Sequence, residues 1–180
     1  RARGMAERSA GMIGLLGRSG RSSGDALRWV FDSSCNTVIV MQRCDVSSVE
    51  ETRSVFSIRS HSGHDVMFQG VMHAGGVLQD AVLDNQTAGR VRSVFAPKVD
   101  GLSRIEHQVT GSIPMRMFTL FSSIAALLGS GGQSNYAAAN ATLDSRSEMQ
   151  SRSGIPSTSV QWGAWLGGGM ASESVRARLD

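Results

Sequence analysis

The chain has 180 residues, enough for one domain with a substantial core, and its 41% hydrophobic and 18% charged composition is ordinary for a globular α/β domain. No apolar run approaches the roughly 18 residues that cross a bilayer, and no signal segment opens the chain, which argues against a membrane protein. The net charge of +3 comes from scattered arginines among few aromatic residues, which argues against nucleic-acid binding and suits an anionic cofactor or an acidic carrier protein. Cys35 and Cys44 lack a CxxC spacing, so we expect buried thiols and a cytoplasmic protein.

Apolar runs of strand length alternate with amphipathic stretches of helical length, a pattern that predicts βαβ units and a doubly wound, Rossmann-like parallel sheet. The second and fourth strands do not alternate cleanly, which predicts burial on both faces. Pro97 should bend the third helix or start a new turn beside Lys98, and Gly154 should end the fourth helix. The predicted strands are Met12–Gly17, Thr37–Gln42, Met67–His73, Met117–Ser122 and Ser157–Trp162, and the predicted helices are Gly24–Phe31, Val46–Ser60, Thr87–Val109 and Ser134–Ser153.

Basic residues follow the first predicted strand, in the run Arg18, Ser19, Gly20, Arg21. We expect a first strand and its turn to be missing before Arg1, so the first predicted strand takes the place of the second strand of a dinucleotide-binding fold. In such folds an acid at the tip of that second strand selects the free ribose 2′-hydroxyl, whereas an arginine accepts a 2′-phosphate. The tip here carries arginine and no acid, which predicts NADPH, with Arg18 the first candidate and Arg21 the second. The alternative is that both are solvated turn residues.

Two more strand ends carry residues suited to a flat ligand. Asp45 follows the second strand, where a carboxylate can accept from an adenine amino group, although an isolated aspartate in this place is more often the N-cap of the helix that follows. His73, Ala74 and Gly75 end the third strand, and the small residues allow close approach of the backbone. For His73 itself a satisfied core imidazole is favoured over a catalytic role.

Three other features point less clearly to function. His61 and His64 have no further ligand at a recognisable spacing, so we predict a solvated loop and no metal site. Residues 129–132 lack the spacing of a phosphate loop. Their glycines are better explained as backbone room for a substrate or as loop flexibility. Trp162 and Trp165 wall a pocket or belong to the core.

The specific chemical signal is the set Ser123, Tyr136 and Lys98, the last two being the only tyrosine and the only lysine of the chain. A serine that ends a strand and a tyrosine that opens the next helix can both point at one substrate oxygen, one as hydrogen-bond donor and the other as proton donor. A nearby ammonium favours the phenolate and brings the phenol toward the working pH range. Asn140 shares a helix face with Tyr136, where its amide can hold a water that resupplies the proton.

With these residues in place, the chain resembles the ketoreductase domain of polyketide synthases, a branch of the short-chain dehydrogenase/reductase superfamily. In this branch the lysine and asparagine places are exchanged relative to the wider superfamily, as Lys98 and Asn140 are here. The resemblance runs from Arg1 to about Ala171 and is carried by residues 15–21, 44–46, 73–78, 96–101, 121–123, 133–140 and 160–165.

The resemblance implies NADPH-dependent reduction of a β-ketoacyl group, carried on the phosphopantetheine of an acyl carrier protein, to the β-hydroxyacyl form within a multidomain synthase. Ser123 would hold the ketone oxygen, Tyr136 would protonate it, and Lys98 would tune the phenol and contact the nicotinamide ribose. The implied cofactor contacts also include Arg18, Ser19, Arg21, Asp45, Val46, His73, Ala74, Gly75, Trp162 and Gly163.

A partial stereochemical marker is also present. Leu78-Gln79-Asp80 resembles the Leu-Asp-Asp motif of B-type ketoreductases, and Leu128 stands where the A-type pattern has tryptophan. Together with Trp165 these residues would face the substrate. The resemblance therefore predicts the D-configured alcohol.

The family's first strand and its Thr-Gly-Gly-x-Gly-x-Leu-Gly turn would precede Arg1, and the substrate-covering region is barely begun after Ala171. We therefore expect residues 1–180 to be an N-terminally truncated fragment of a ketoreductase domain, weakly active or inactive alone. The alternatives are a free-standing short-chain reductase of a small ketone, which the exchanged Lys98 and Asn140 disfavour, and a catalytically silent structural domain of a synthase.

Overall fold

The computed structural model describes residues 12–20, 38–57, 68–109 and 115–163. The five predicted strands are confirmed within a residue or two, except that the third begins at Gly70. The predicted helix Gly24–Phe31 lies outside the described residues. The strands are β1 (Met12–Gly17), β2 (Val38–Arg43), β3 (Gly70–His73), β4 (Met117–Ser123) and β5 (Ser157–Trp162), and the helices are α1 (Val49–Phe56), α2 (Ala88–Phe95), α3 (Gly101–Val109), α4 (Ala125–Leu128) and α5 (Ser134–Arg152).

All strand pairs in the described part of the chain are parallel, as predicted. β1 pairs with β2, with Met12 opposite Val38 and Gly17 opposite Arg43. β4 lies between β3 and β5 in a second sheet. Parallel strands bring their carboxyl ends to one edge of a sheet, and open α/β sheets bind ligands at that edge.

The hydrophobic core lies on one face of β4. Phe118 and Leu120 project from alternate positions of the strand and pack with Leu102 and Ile105 of α3 and with Leu143 of α5. The cluster anchors α3 and α5 side by side against the second sheet. α3 and α5 are therefore held by the same buried side chains.

Burial on both faces is confirmed for β4 and wrong for β2. Phe118 and Leu120 on one face of β4 are buried, and so is Phe121 on the other. In β2, Val38 is 60% and Met41 38% exposed. Among the described residues β2 has a neighbouring strand on one side only. Its apolar run therefore does not indicate a central strand of the sheet.

The ends of α1 and α5 follow local capping chemistry. Ser48 caps α1 by accepting a hydrogen bond from the backbone N–H of Glu51. α5 ends at the predicted place, with Ser153 as its cap and Gly154 at φ +82°. No helix in the described part of the chain is long and apolar enough to cross a membrane.

Candidate active site

Pro97 interrupts the long helical stretch as predicted, and the interruption is a π-helical turn. Residues Ala96–Asp100 form this turn between α2 and α3. Proline has no backbone N–H, so its presence in a helix removes a hydrogen bond, and π turns are frequent at functional sites. The turn carries Lys98 into the protein, where only 2% of the residue is exposed.

The Lys98 ammonium lies between β4 and α5. Its Nζ donates a hydrogen bond of 3.0 Å to the backbone carbonyl of Phe121 and lies 5.3 Å from the centroid of the Tyr136 ring. Burial lowers the pKa of Lys98 to about 8, and the negative charge of Asp144 opposes that effect. Lys98 therefore carries its proton at neutral pH and loses it in the mildly alkaline range.

Tyr136 lies in the first turn of α5, half-buried, and Asn140 follows one turn later. Asn140 is fully buried, and its Nδ2 donates a 2.8 Å hydrogen bond to the backbone carbonyl of Tyr136. Its Oδ1 has no hydrogen-bond partner among the described residues. A buried acceptor without a partner is costly, so the Asn140 side chain is well suited to receive a water or a ligand donor.

Ser123 is the last residue of β4, and its Oγ accepts a 3.2 Å hydrogen bond from the backbone N–H of Ala125. That contact leaves the hydroxyl proton available for donation to another group. The neighbouring Ser122 donates to the backbone carbonyl of Asn140 at 3.3 Å, which ties the strand end to α5. The end of β4 thus contacts Lys98 through Phe121 and α5 through Ser122.

At the end of β1, Arg18 and Ser19 are exposed. The side chain of Arg43, the last residue of β2, reaches this turn, where its Nε donates a 3.3 Å hydrogen bond to the Arg18 carbonyl. Gly20 has φ +62°, and a Cβ there would lie 2.9 Å from Cβ of Arg43. Two arginines, Arg18 from this turn and Arg43 from the end of β2, therefore lie next to each other at the carboxyl end of the first sheet.

After β2, Asp45 is held by a local turn and does not cap α1. Its Oδ1 accepts from the backbone N–H of Ser47 at 2.9 Å and from the Ser47 hydroxyl at 2.6 Å. These bonds hold the pKa of Asp45 below its usual value. Because Ser48 is the helix cap, the reading of Asp45 as an N-cap is wrong.

The next three candidates among the cofactor residues differ in accessibility. Val46 is half-buried and packs against the start of α3. A Cβ on Gly101, the first residue of α3, would lie only 2.7 Å from Cγ2 of Val46. Ala74 is exposed. His73 is buried, and its Nε2 lies 2.8 Å from the Lys98 carbonyl oxygen. Of this group, Ala74 is the one that offers open surface.

Trp162 and Gly163 also differ in accessibility. The Trp162 ring is half-buried against Phe121, with centroids 5.8 Å apart, whereas Gly163 is exposed with open space where a Cβ would lie. The core and pocket readings of Trp162 are thus both compatible with its position. Arg21, Trp165, His61 and His64 lie outside the described residues.

A dinucleotide fits this arrangement. Arg18, Asp45, Ala74 and Gly163 follow the carboxyl ends of parallel strands, with Arg18 and Arg43 at the first sheet and the unpartnered Asn140 acceptor beside the second. Gly17 and Gly163 both have open space where a Cβ would lie.

The KR domain family matches residues 1–167 of the chain. The chain belongs to the KR domain family. It is 39% identical over 139 residues to a polyketide synthase of Streptomyces halstedii, GfsB, an alignment that covers 77% of this chain and 2% of that protein. It also superposes on a solved A-type ketoreductase of a modular polyketide synthase with a TM-score of 0.87 and 30% identity, over 99% of this chain and 37% of that one.

The fold of this ketoreductase domain is the Rossmann-like fold of short-chain dehydrogenases/reductases. A short-chain dehydrogenase/reductase from Vibrio parahaemolyticus superposes with a TM-score of 0.68 and 18% identity, which shows the shared fold alone. It covers 92% of this chain and 76% of that chain. The chain spans 2% of the length of its relative GfsB.

Sequence reasoning about the ketoreductase site missed Arg43, because the predicted second strand ended one residue short of it. Its position opposite Gly17 in the parallel register is the signal that would have found it. Arg43 also approaches Glu51, at 3.7 Å, an exposed pair that contributes little stability.

Sequence reasoning also missed two hydrogen bonds that link the loop after β3 to the start of α5. The Nδ2 of buried Asn135 donates to the Gln79 carbonyl at 2.9 Å, and the Nε2 of Gln133 donates to the Asp80 carboxylate at 2.9 Å. Leu128, at the end of α4, is 76% exposed. The candidate stereochemical residue Asp80 is therefore tied to the segment that presents Tyr136.

Proposed function

We propose that this ketoreductase domain reduces a β-ketoacyl thioester to the β-hydroxyacyl form with NADPH as reductant. The observation that carries the proposal is the buried Lys98 ammonium, 5.3 Å from the Tyr136 ring and hydrogen-bonded to the end of the strand that carries Ser123. A cation held this close to a phenol favours the phenolate that remains after proton donation.

The residues divide the work on the ketone oxygen. Ser123 donates a hydrogen bond to it and so stabilises the charge that develops when the carbonyl is reduced. Tyr136 donates the proton that converts the oxygen to an alcohol. Lys98 stabilises the resulting phenolate, and a water on the Asn140 Oδ1 returns the proton. NADPH supplies the hydride when it is bound.

The preference for NADPH rests on the first sheet. Arg18 and Arg43 are exposed at the tip of β1 and β2, and guanidinium groups match a phosphate in charge and geometry. Of the two acids nearby, Asp45 is engaged with Ser47, and Glu51 forms an exposed pair with Arg43 at 3.7 Å, which contributes little stability. The ribose 2′-phosphate thus has two donors here.

The proposed partners are an acyl carrier protein, which carries the β-ketoacyl chain on phosphopantetheine, and the other domains of a synthase. The similarity to polyketide synthases supports this assignment. The net charge of +3 suits an acidic carrier.

The test is to supply the full-length protein with one β-ketoacyl chain as the carrier-protein thioester, as a small-molecule thioester and as the free acid. NADPH consumption and the β-hydroxy product are both measured. We expect turnover of both thioesters and the highest kcat/KM for the carrier-bound chain. Turnover of none of the three would overturn the proposed function, and equal turnover of all three would overturn the proposed carrier.

A further inference from the structure

His73 is a buried titratable group to which the proposed reaction assigns no step. It ends β3, and 3% of the residue is exposed, which leaves little surface for the cofactor contact predicted from sequence. We propose that His73 is a positioning residue: its Nε2–H holds the Lys98 carbonyl and thereby fixes the π-helical turn that carries the ammonium. This inference rests on the proposed function, in which Lys98 acts on Tyr136.

The contact determines the state of the imidazole. Nε2 lies 2.8 Å from the Lys98 carbonyl oxygen, and a carbonyl only accepts hydrogen bonds. The proton must therefore reside on Nε2. Burial lowers the pKa of His73, and the nearby Lys98 charge acts in the same direction, while the hydrogen bond and Glu106 oppose them. The neutral ring with its proton on Nε2 is the state that fits the site.

Lys98 is then held at two points. His73 holds its backbone carbonyl from the end of β3, and the Phe121 carbonyl holds its ammonium from the end of β4. β3 and β4 are adjacent, with His73 opposite Leu120 in the register. Both anchors therefore belong to one rigid sheet, which fixes where the long lysine side chain begins and where it ends.

A π-helical turn requires such support more than an α-helix does. Its wider turn is rarely stable by itself, and Pro97 contributes no N–H to it. A side chain from outside the helix that donates to one of its carbonyls therefore stabilises the irregular conformation directly.

Two glycines lie beside the imidazole. A Cβ on Gly75 or on Gly101 would lie 3.5 Å from Cε1 of His73. The Cβ on Gly75 would also lie 3.2 Å from the Pro97 carbonyl oxygen. A Cβ at either glycine would thus be in van der Waals contact with the ring.

The experiment compares His73→Gln, His73→Asn and His73→Leu in the full-length protein. Glutamine can place an amide N–H near the position of Nε2, asparagine places it nearer to Nδ1, and leucine removes the donor while retaining bulk. We expect His73→Leu and His73→Asn to lower kcat roughly 10- to 100-fold, as small misplacements of catalytic groups do, with the Kd of NADPH changed less than twofold. His73→Gln should recover most of kcat.

A second readout does not depend on activity. The rate at which a small amine-reactive acylating reagent modifies Lys98 can be measured by mass spectrometry of the peptide that contains Lys98. This rate should rise several-fold in His73→Leu and remain near the wild-type rate in His73→Gln. This measurement retains its meaning if the wild type reduces no thioester, so failure of the proposed function and failure of the positioning role are distinguishable.

Three outcomes would overturn the inference. His73→Leu could retain wild-type kcat and Lys98 reactivity. NADPH affinity could fall while kcat at saturation remained unchanged, which would make His73 a cofactor contact. Finally, all three variants could lose activity and thermal stability equally, with no recovery by glutamine, which would leave His73 a structural core residue.

Discussion

The two sheets of this ketoreductase domain hold their proposed functional groups in opposite ways. At the second sheet, Lys98, Asn140 and His73 are buried and hydrogen-bonded to backbone carbonyls. At the first sheet, Arg18 and Arg43 are exposed at the strand tips. The difference follows from chemistry, because a proton-transfer group needs a tuned pKa and a fixed position, whereas a phosphate-binding guanidinium is charged at every physiological pH.

The two buried ionisable groups at the second sheet are tuned accordingly, because burial lowers the pKa of both Lys98 and His73. Burial lowers the pKa of Lys98 to about 8, within reach of ordinary assay conditions. An exposed arginine needs no such adjustment. The comparison therefore predicts large, pH-dependent effects for substitutions at the second sheet and smaller, cofactor-specific effects at the first.

The largest effect should come from Tyr136→Phe, which removes only the proton donor. We expect kcat to fall roughly 100- to 10,000-fold, the range for general acids, while NADPH affinity remains within twofold. Single-turnover reduction and NADPH fluorescence titration measure the two quantities. Near-normal turnover would show that another group supplies the proton.

Lys98→Arg should be the next most damaging change. A planar guanidinium does not reproduce a compact ammonium beside the phenol, so we expect kcat to fall roughly 10- to 100-fold. In the wild type the ammonium is present below about pH 8 and is lost above it, so kcat should decline as the pH rises through 8.

The pH profile supplies the control for that change. Arginine does not titrate in this range, so the decline near pH 8 should disappear in Lys98→Arg. An unchanged alkaline decline in that variant would assign the titration to a different group.

At the first sheet, Arg18→Ala and Arg43→Ala should each reduce the preference for NADPH over NADH roughly tenfold, with little change in kcat. The ratio of kcat/KM values for the two cofactors measures this preference. Arg152→Ala, at the far end of α5, is the matched control for loss of one exposed arginine. Equal use of both cofactors by the wild type would contradict the 2′-phosphate assignment.

The smallest effect concerns the configuration of the alcohol. The partial motif that ends at Asp80 predicts the D-β-hydroxyacyl product, and Gln133→Ala, which removes the hydrogen bond to Asp80, should lower stereochemical purity with kcat changed only about twofold. Chiral chromatography of the released product decides, with Arg152→Ala again as control. A wild-type L-alcohol would show that the motif is misread.

Local signals predicted much of this arrangement. Strand-length apolar runs identified β1 and β4, and Pro97 marked the irregular turn, because both depend on neighbouring residues only. The type of turn and the His73–Lys98 contact could not be predicted, since they join residues 25 positions apart through the sheet. The exposure of Val38 depends on which strands flank β2, and that is a property of topology.

The contact between Val46 and Gly101 has an evolutionary consequence. A Cβ at position 101 would lie 2.7 Å from Cγ2 of Val46, and a β-branched side chain has little rotamer freedom with which to retreat. The two positions therefore share one fixed volume. In an alignment of close homologues we expect them to covary, with alanine or serine at position 101 accompanied by alanine or glycine at position 46, and frequent valine with alanine would contradict the expectation. The segment after β2 and the start of α3 would then have diversified together, as one steric unit.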